Sequence, residues 1–319
     1  MKSDFKPAWW CSNRHLQTLY SSLFHKSILL NIINEEFKLS DGDFVDLVWT
    51  EKKEIVPIVL LLHGLEGSIN SPYVKGILKT ITDSGWQGIL MHFRGCSGRH
   101  NRFDRSYHAG DTADINSLII ELINRYPGRK IAAIGISLGG NALIKYLGEQ
   151  GVNCPLTAAI AISVPFDLAI CAKELETGFS RIYQWYLIRS LNKKLRSKFK
   201  EKPAPINLEK LKEWTDFYSF DHNVIAPIHG FISVDDYYAK SSCKKFIKNI
   251  NIPTLILHSK DDPFMNKSAL PNETDLSNDV TLELTDQGGH VGFIYEESPF
   301  KVKSWSEKRL AEFFQQKFK

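Results

Sequence analysis

The stretch Lys130-Ile131-Ala132-Ala133-Ile134-Gly135-Ile136-Ser137-Leu138-Gly139-Gly140 decides how this chain folds. Its first seven residues are a short, mostly apolar run of strand type, and Leu138 to Gly148 reads as helix, so Ser137 falls on the turn between them. Gly135 and Gly139 complete the pattern G-x-S-x-G, in which flanking glycines permit a turn sharp enough to expose the serine hydroxyl. A glycine-rich turn that cradles phosphate also joins a strand to a helix. That reading lacks its lysine after Gly139-Gly140 and its G-x-G-x-x-G spacing.

Working outward, the same alternation of buried strand and helix extends in both directions. Ile58 to Leu62 ends at His63-Gly64 and reads as a strand covered on both faces; a helix from Tyr73 to Ser84 and a strand from Gly88 to Phe93 complete a βαβ unit. Ile115, Leu118, Ile119 and Leu122 share one helical face, stopped by Pro127-Gly128. Thr157 to Ser163 is a further strand. From Leu168 to Asn249 the alternation lapses into helix formers, aromatics and long basic residues. Strands resume at Thr254 to His258 and Val280 to Leu284, and a closing helix carries Leu310, Phe313 and Phe314. The expected organisation is one α/β domain over 1–319, a mostly parallel doubly wound sheet, with a helical cap inserted at 168–249.

Bulk properties exclude several classes. A net charge of +4 on 40 basic and 36 acidic residues is too mild to predict a nucleic-acid partner. The longest apolar run, Ile55 to Leu62, falls well short of the roughly 18 residues of a membrane span, and Lys2, Asp4 and Lys6 interrupt any secretory core. Five cysteines, odd in number and without C-x-x-C spacing, fit neither a disulfide framework nor a zinc ribbon, and the expectation is a reducing, cytoplasmic setting. Lys193, Lys194, Arg196, Lys198, Lys200 and Lys202 form a local basic run, read as a solvated helix face or as a contact for an anionic membrane surface.

A serine hydroxyl is a poor nucleophile at neutral pH and needs a base, usually a histidine whose tautomer a carboxylate fixes. Downstream, a strand leads into Ser259-Lys260-Asp261-Asp262-Pro263-Phe264, and the last strand leads into Gln287-Gly288-Gly289-His290. Ser137, Asp261 and His290 are therefore the expected triad. Asp261 is preferred because it lies directly past the strand end; Asp262 would otherwise cap a turn before proline. The oxyanion of a tetrahedral intermediate needs two peptide N–H donors. The residue after the serine, Leu138, and Leu65 of His63-Gly64-Leu65-Glu66-Gly67 are assigned to it. His63 is read as ordering that loop.

With these motifs in place, the sequence resembles the YheT-type α/β-hydrolases over nearly its whole length. The resemblance takes in Trp10 with His15-Leu16-Gln17-Thr18, Phe93-Arg94-Gly95-Cys96-Ser97-Gly98 and Gly110-Asp111. Beyond the serine turn it continues through Asp221, Gly230-Phe231, Asp236-Tyr237-Tyr238, Ser242 and Pro253, and ends at Gly288-Gly289-His290-Val291-Gly292-Phe293. It implies the α/β-hydrolase fold and cleavage of a carboxylic ester, often acyl or lipid-like, without metal or organic cofactor. Eukaryotic relatives carry an amino-terminal membrane anchor, which this sequence is not expected to have.

Phe179, Tyr183, Trp185, Tyr186, Trp214, Phe217, Tyr218 and Phe220 place many aromatics in the insertion, either to line an apolar pocket beside the triad or to pack the insertion onto the core. Two alternatives to hydrolysis stand beside it. One is acyl transfer to an alcohol or thiol through the same triad. The other is a binding protein on a hydrolase fold that has lost its activity.

Overall fold

The computed structural model describes residues 3–23, 28–51, 55–295 and 304–319. Eight strands form one sheet in the order β1-β2-β4-β3-β5-β6-β7-β8. They are β1 (Ile32–Lys38), β2 (Phe44–Thr50), β3 (Ile58–Leu62), β4 (Gln87–Met91), β5 (Ile131–Ile136), β6 (Ala158–Ile162), β7 (Thr254–Ser259) and β8 (Val280–Thr285). From β4 to β8 every pairing is parallel, while β1 and β2 add an antiparallel hairpin at one edge. That hairpin was not anticipated. Its signal is Asp41-Gly42, with Gly42 at φ 87°, followed by the mostly buried Phe44–Thr50.

Eight helices of eight residues or more accompany the sheet in the described residues: α1 (Arg14–Leu23), α2 (Pro72–Asp83), α3 (Ala113–Arg125), α4 (Leu138–Gln150), α5 (Leu168–Leu175), α6 (Ser180–Lys198), α7 (Val234–Ser241) and α8 (Trp305–Lys317). Strand side chains alternate between two cores. Ile58, Leu60 and Leu62 of β3 join the cluster that holds Leu118 of α3 and Leu143 of α4. Val59 and Leu61 join the cluster that holds Ile77 of α2 and Phe314 of α8. The sheet is thus covered on both faces, which explains why its central strands read as unbroken apolar runs.

Because α2 and α4 leave neighbouring strands β3 and β5 toward opposite faces, a crevice opens at the carboxyl ends of those strands. The helical segment between β6 and β7, residues 168–249, lies over this crevice and has an apolar cluster of its own built on Ile188, Leu195, Phe199, Leu211, Trp214, Phe220 and Val224.

Candidate active site

Ser137 sits at the end of β5 with φ 52° and ψ −119°, a conformation that a non-glycine residue adopts only under constraint. Local packing supplies that constraint. A Cβ on Gly135 would lie 2.5 Å from the Gly139 carbonyl oxygen, and one on Gly139 would lie 2.5 Å from the carbonyl oxygens of both Leu62 and His63. Only glycine lets β3, β5 and α4 approach this closely, and the turn that results leaves Ser137 half-buried and facing the crevice.

Ser137 Oγ lies 2.9 Å from His290 Nε2, and His290 Nδ1 lies 2.8 Å from Asp262 Oδ2. A carboxylate only accepts, so Nδ1 carries the proton and Nε2 presents its lone pair to the serine hydroxyl. The imidazole ring is buried and lies flat against Phe264, with centroids 3.9 Å apart and planes 3° from parallel.

Asp261 is the expected partner of the histidine; the structure instead brings Asp262 to it. The strand runs on to Ser259, and the turn after it directs the second aspartate inward. Asp262 Oδ1 accepts the Phe264 N–H at 2.8 Å, the turn-capping role expected of an aspartate before proline, and its other oxygen remains free for His290. Turn capping and histidine orientation are therefore compatible in one carboxylate. Asp261 Oδ1 instead accepts the Ser259 hydroxyl and the Gly289 N–H, tying the end of β7 to the histidine loop. Burial raises its pKa above the ordinary carboxylate value, against those hydrogen bonds.

The peptide N–H groups of Leu65 and Leu138 make no hydrogen bond among the described residues, and both residues border the same cavity as Ser137. Leu138 opens α4, so the positive end of that helix points at the serine. The Leu65 loop is held from several sides. Tyr73 Oη accepts the Gly64 N–H at 2.8 Å, and His63 donates to the Gly64 carbonyl from Nδ1 and accepts the Phe93 N–H at Nε2. Both nitrogens are thereby committed, and burial lowers the His63 pKa to about 3, which suits a neutral loop-ordering residue. Glu66, with φ 55°, pairs with Lys194 of α6 at 2.6 Å and accepts the Tyr107 hydroxyl proton at 2.9 Å.

The histidine loop is held from outside itself. Gly288, Gly289, Val291 and Phe293 all have positive φ. The His290 N–H donates to Thr18 Oγ1 at 2.9 Å, the Ile294 N–H donates to Gln17 Oε1 at 2.7 Å, and the Gln287 side chain reaches the Ser12 carbonyl. A Cβ on Gly289 would meet the Arg14 carbonyl oxygen at 2.4 Å. The amino-terminal motif His15-Leu16-Gln17-Thr18 was noted in the sequence only as a family feature; here it braces the loop that carries His290.

A cavity open to solvent lies beside Ser137, with about 1140 Å³ of empty space counting its solvent-filled mouth. Its walls are chiefly apolar, with Leu168, Cys171 and Leu175 from α5, Leu187 and Leu191 from α6, and Phe217 and Phe220 from the turns that follow. Of the eight insertion aromatics considered in the sequence, only these two phenylalanines line it. Tyr183 and Trp214 are buried in packing, whereas Phe179, Trp185, Tyr186 and Tyr218 are exposed. The basic run also divides. Lys194 and Lys198 turn inward, the latter to Asn101 Oδ1 and the carbonyls of residues 104 and 105, while Lys193, Arg196 and Lys200 face solvent. Among the described residues two carboxyl residues border the cavity, Glu66, which is paired with Lys194, and Asp221 of the insertion. Tyr238 donates to Asp221 at 2.9 Å, and burial pushes the Asp221 pKa up to about 7.

Among the described residues no helix is long and apolar enough to cross a membrane, and no group of three or more metal-ligating side chains occurs.

A strand-to-helix turn bearing a serine after β5, and a histidine and an aspartate after the last two strands, fit an α/β-hydrolase architecture; the chain belongs to that family, whose α/β hydrolase fold model matches residues 57–297. Within it the chain is of the YheT type, being 40% identical over 313 residues to YheT of Escherichia coli (strain K12), a match that covers 97% of this chain and 92% of that protein. It is also 30% identical over 303 residues to phospholipase ABHD3 of Mus musculus, covering 91% of this chain and 73% of that one. Among solved structures, the Pyrococcus furiosus esterase Pf2001 superposes with a TM-score of 0.61 at 17% identity, over 91% of this chain and 92% of that one, a likeness of fold.

Proposed function

We propose that this chain hydrolyses carboxylic esters with an apolar, lipid-like acyl group through an acyl-enzyme on Ser137. The observation that carries the reading is the continuous line from Ser137 Oγ through His290 to Asp262, at 2.9 and 2.8 Å, opening onto an apolar cavity. The relatives from Escherichia coli and Mus musculus, an esterase by name and a phospholipase by name, support the same class of reaction.

In this mechanism His290 Nε2 takes the hydroxyl proton as Ser137 Oγ attacks the ester carbonyl carbon, and the carbonyl oxygen becomes an oxyanion. Leu65 and Leu138 donate their peptide N–H groups to it, and losing one such donor typically costs ~10² to 10³ in turnover. The C–O bond to the alcohol breaks as His290 returns its proton to the leaving oxygen. Water then repeats the sequence on the acyl-serine and releases the acid. Asp262 keeps the proton on Nδ1 and stabilises the imidazolium that forms twice per cycle. The helical insertion serves as a cap that contributes most of the acyl-binding wall.

The test is a fluorophosphonate probe with p-nitrophenyl esters of increasing chain length. Labelling of the native protein, none of Ser137→Ala, and kcat/KM that rises with acyl length are expected. Labelling that persists in Ser137→Ala would discard the assignment.

A further inference from the structure

Helix α6 has a second working face. Its inward side carries Leu187, Leu191 and Lys194 to the cavity, as described above. The opposite side, read from Phe179 just before the helix to Lys200 just after it, is divided along its length. Phe179, Ile182, Trp185 and Tyr186 occupy the first half, with Trp185 57% and Tyr186 66% exposed. Arg189, Lys193, Arg196 and Lys200 continue the same face through the second half, all exposed.

Residues 182, 185, 186, 189, 193 and 196 recur at helical spacing, so the aromatics and the cations look in one direction. The 19-residue helix contains no aspartate or glutamate. None of Arg189, Lys193, Arg196 and Lys200 forms an ion pair among the described residues; Arg189 stacks over Trp185 at 5.3 Å. A helix of this length extends for about 28 Å. Such an apolar patch costs solvation when exposed and usually marks an interaction surface.

We propose that this face of α6 docks the protein onto an anionic lipid surface. Charge complementarity selects that partner. Aromatic and aliphatic side chains at one end suit the boundary between headgroups and acyl chains, and an uncompensated row of cations suits anionic headgroups. A second copy of this chain fits poorly, because a two-fold contact through the same face brings the two basic rows together. Docking sets this helix, whose inward side walls the cavity through Leu187 and Leu191, against the lipid surface from which an acyl ester would be drawn. The inference rests on the lipid-ester reading given under the proposed function, and it assigns the surface from which that substrate comes.

The experiment uses the full chain carrying Ser137→Ala, which cannot turn over lipid, in cosedimentation with vesicles of phosphatidylcholine alone and of phosphatidylcholine with phosphatidylglycerol. Binding is expected only to the anionic vesicles, with a blue shift of tryptophan emission, and raised salt should weaken it. Arg189→Glu with Lys193→Glu, and separately Trp185→Ser with Tyr186→Ser, should each lower the partition at least about tenfold. In chains that retain Ser137, both pairs should leave turnover of a soluble short ester unchanged. The proposal is overturned if neither vesicle binds, if binding survives both pairs, or if sedimentation velocity shows a dimer that the same substitutions dissolve. Failure of the ester-hydrolase reading would show up separately, as no turnover of any ester by the unsubstituted chain.

Discussion

The two halves of the proposed reaction centre are built in different ways. On the serine side, β5, the turn at Ser137 and α4 come from one continuous stretch, and the geometry is enforced by glycines within a few residues of the nucleophile. On the histidine side, the loop from Gln287 to Ile294 has little regular structure, four positive φ values, and contacts to Ser12, Gln17 and Thr18 at the far end of the chain. A serine fixed by local sterics is coupled to the stability of the sheet. A histidine held by borrowed hydrogen bonds can be disturbed with less damage to the fold.

The largest effect expected from this contrast is at the paired aspartates. Asp262→Asn should lower kcat by ~10⁴, since an amide can present its N–H to Nδ1 and hold the wrong tautomer, whereas Asp261→Asn should cost less than about tenfold because its oxygen can still accept from Gly289. Measuring kcat for both variants decides between the acids, and the reverse ranking would return the role to Asp261.

Next in size is Gly139→Ala. The added Cβ has no room beside the Leu62 and His63 carbonyls, which are backbone and cannot swing aside. The expected outcome is a loss of about 3 kcal/mol or more in stability, seen as a lower Tm or loss of soluble protein, along with activity. A folded, inactive protein with an unchanged Tm would break the claim that the serine side is tied to the sheet.

Thr18→Val is the matching test of the histidine side. It removes the acceptor of the buried His290 N–H, a cost of about 1–3 kcal/mol, and should lower kcat by tenfold or somewhat more and Tm by only a few degrees, while KM changes little. Thr18→Ser should restore most of the rate. An equal loss in both variants would point to packing of the threonine methyl group instead of the hydrogen bond.

The same contrast explains what the sequence made legible. The parallel strands, α2 to α4, the nucleophile turn and the residues after the last two strands could be read because each is a local pattern of apolar runs and glycines. The acid could not be separated from its neighbour by position, since a one-residue difference in where β7 ends decides which carboxylate turns inward. Thr18, Gln17, Tyr73 and Lys194 escaped because their roles arise from contacts between segments distant in the chain. The β1–β2 hairpin was missed despite its Asp-Gly turn, because β1 is an edge strand whose Asn34-Glu35-Glu36 leaves little apolar alternation to detect.

The smallest expected effect concerns the helical insertion, which contributes a titrating group to the cavity but none to the serine–histidine line. Burial puts the Asp221 carboxyl near pH 7 in the folded chain, against about 3.9 unfolded. A raised carboxyl pKa means that folding favours the protonated form, so this group's contribution to stability is full below about pH 4 and is lost as pH rises through 7. Asp221→Asn stays neutral and still accepts from Tyr238, so it should stabilise the protein more at pH 8 than at pH 5. The gain should be on the order of 1–2 kcal/mol, or a few degrees in Tm, because water reaching the cavity relieves part of the burial. Turnover of a short ester should be nearly unchanged, whereas KM for a long-chain ester above pH 7 should fall, an ionised carboxylate being a poor neighbour for an acyl chain. If kcat for the short ester drops instead, the insertion reaches the reacting atoms, and the division between the self-held serine and the braced histidine is incomplete.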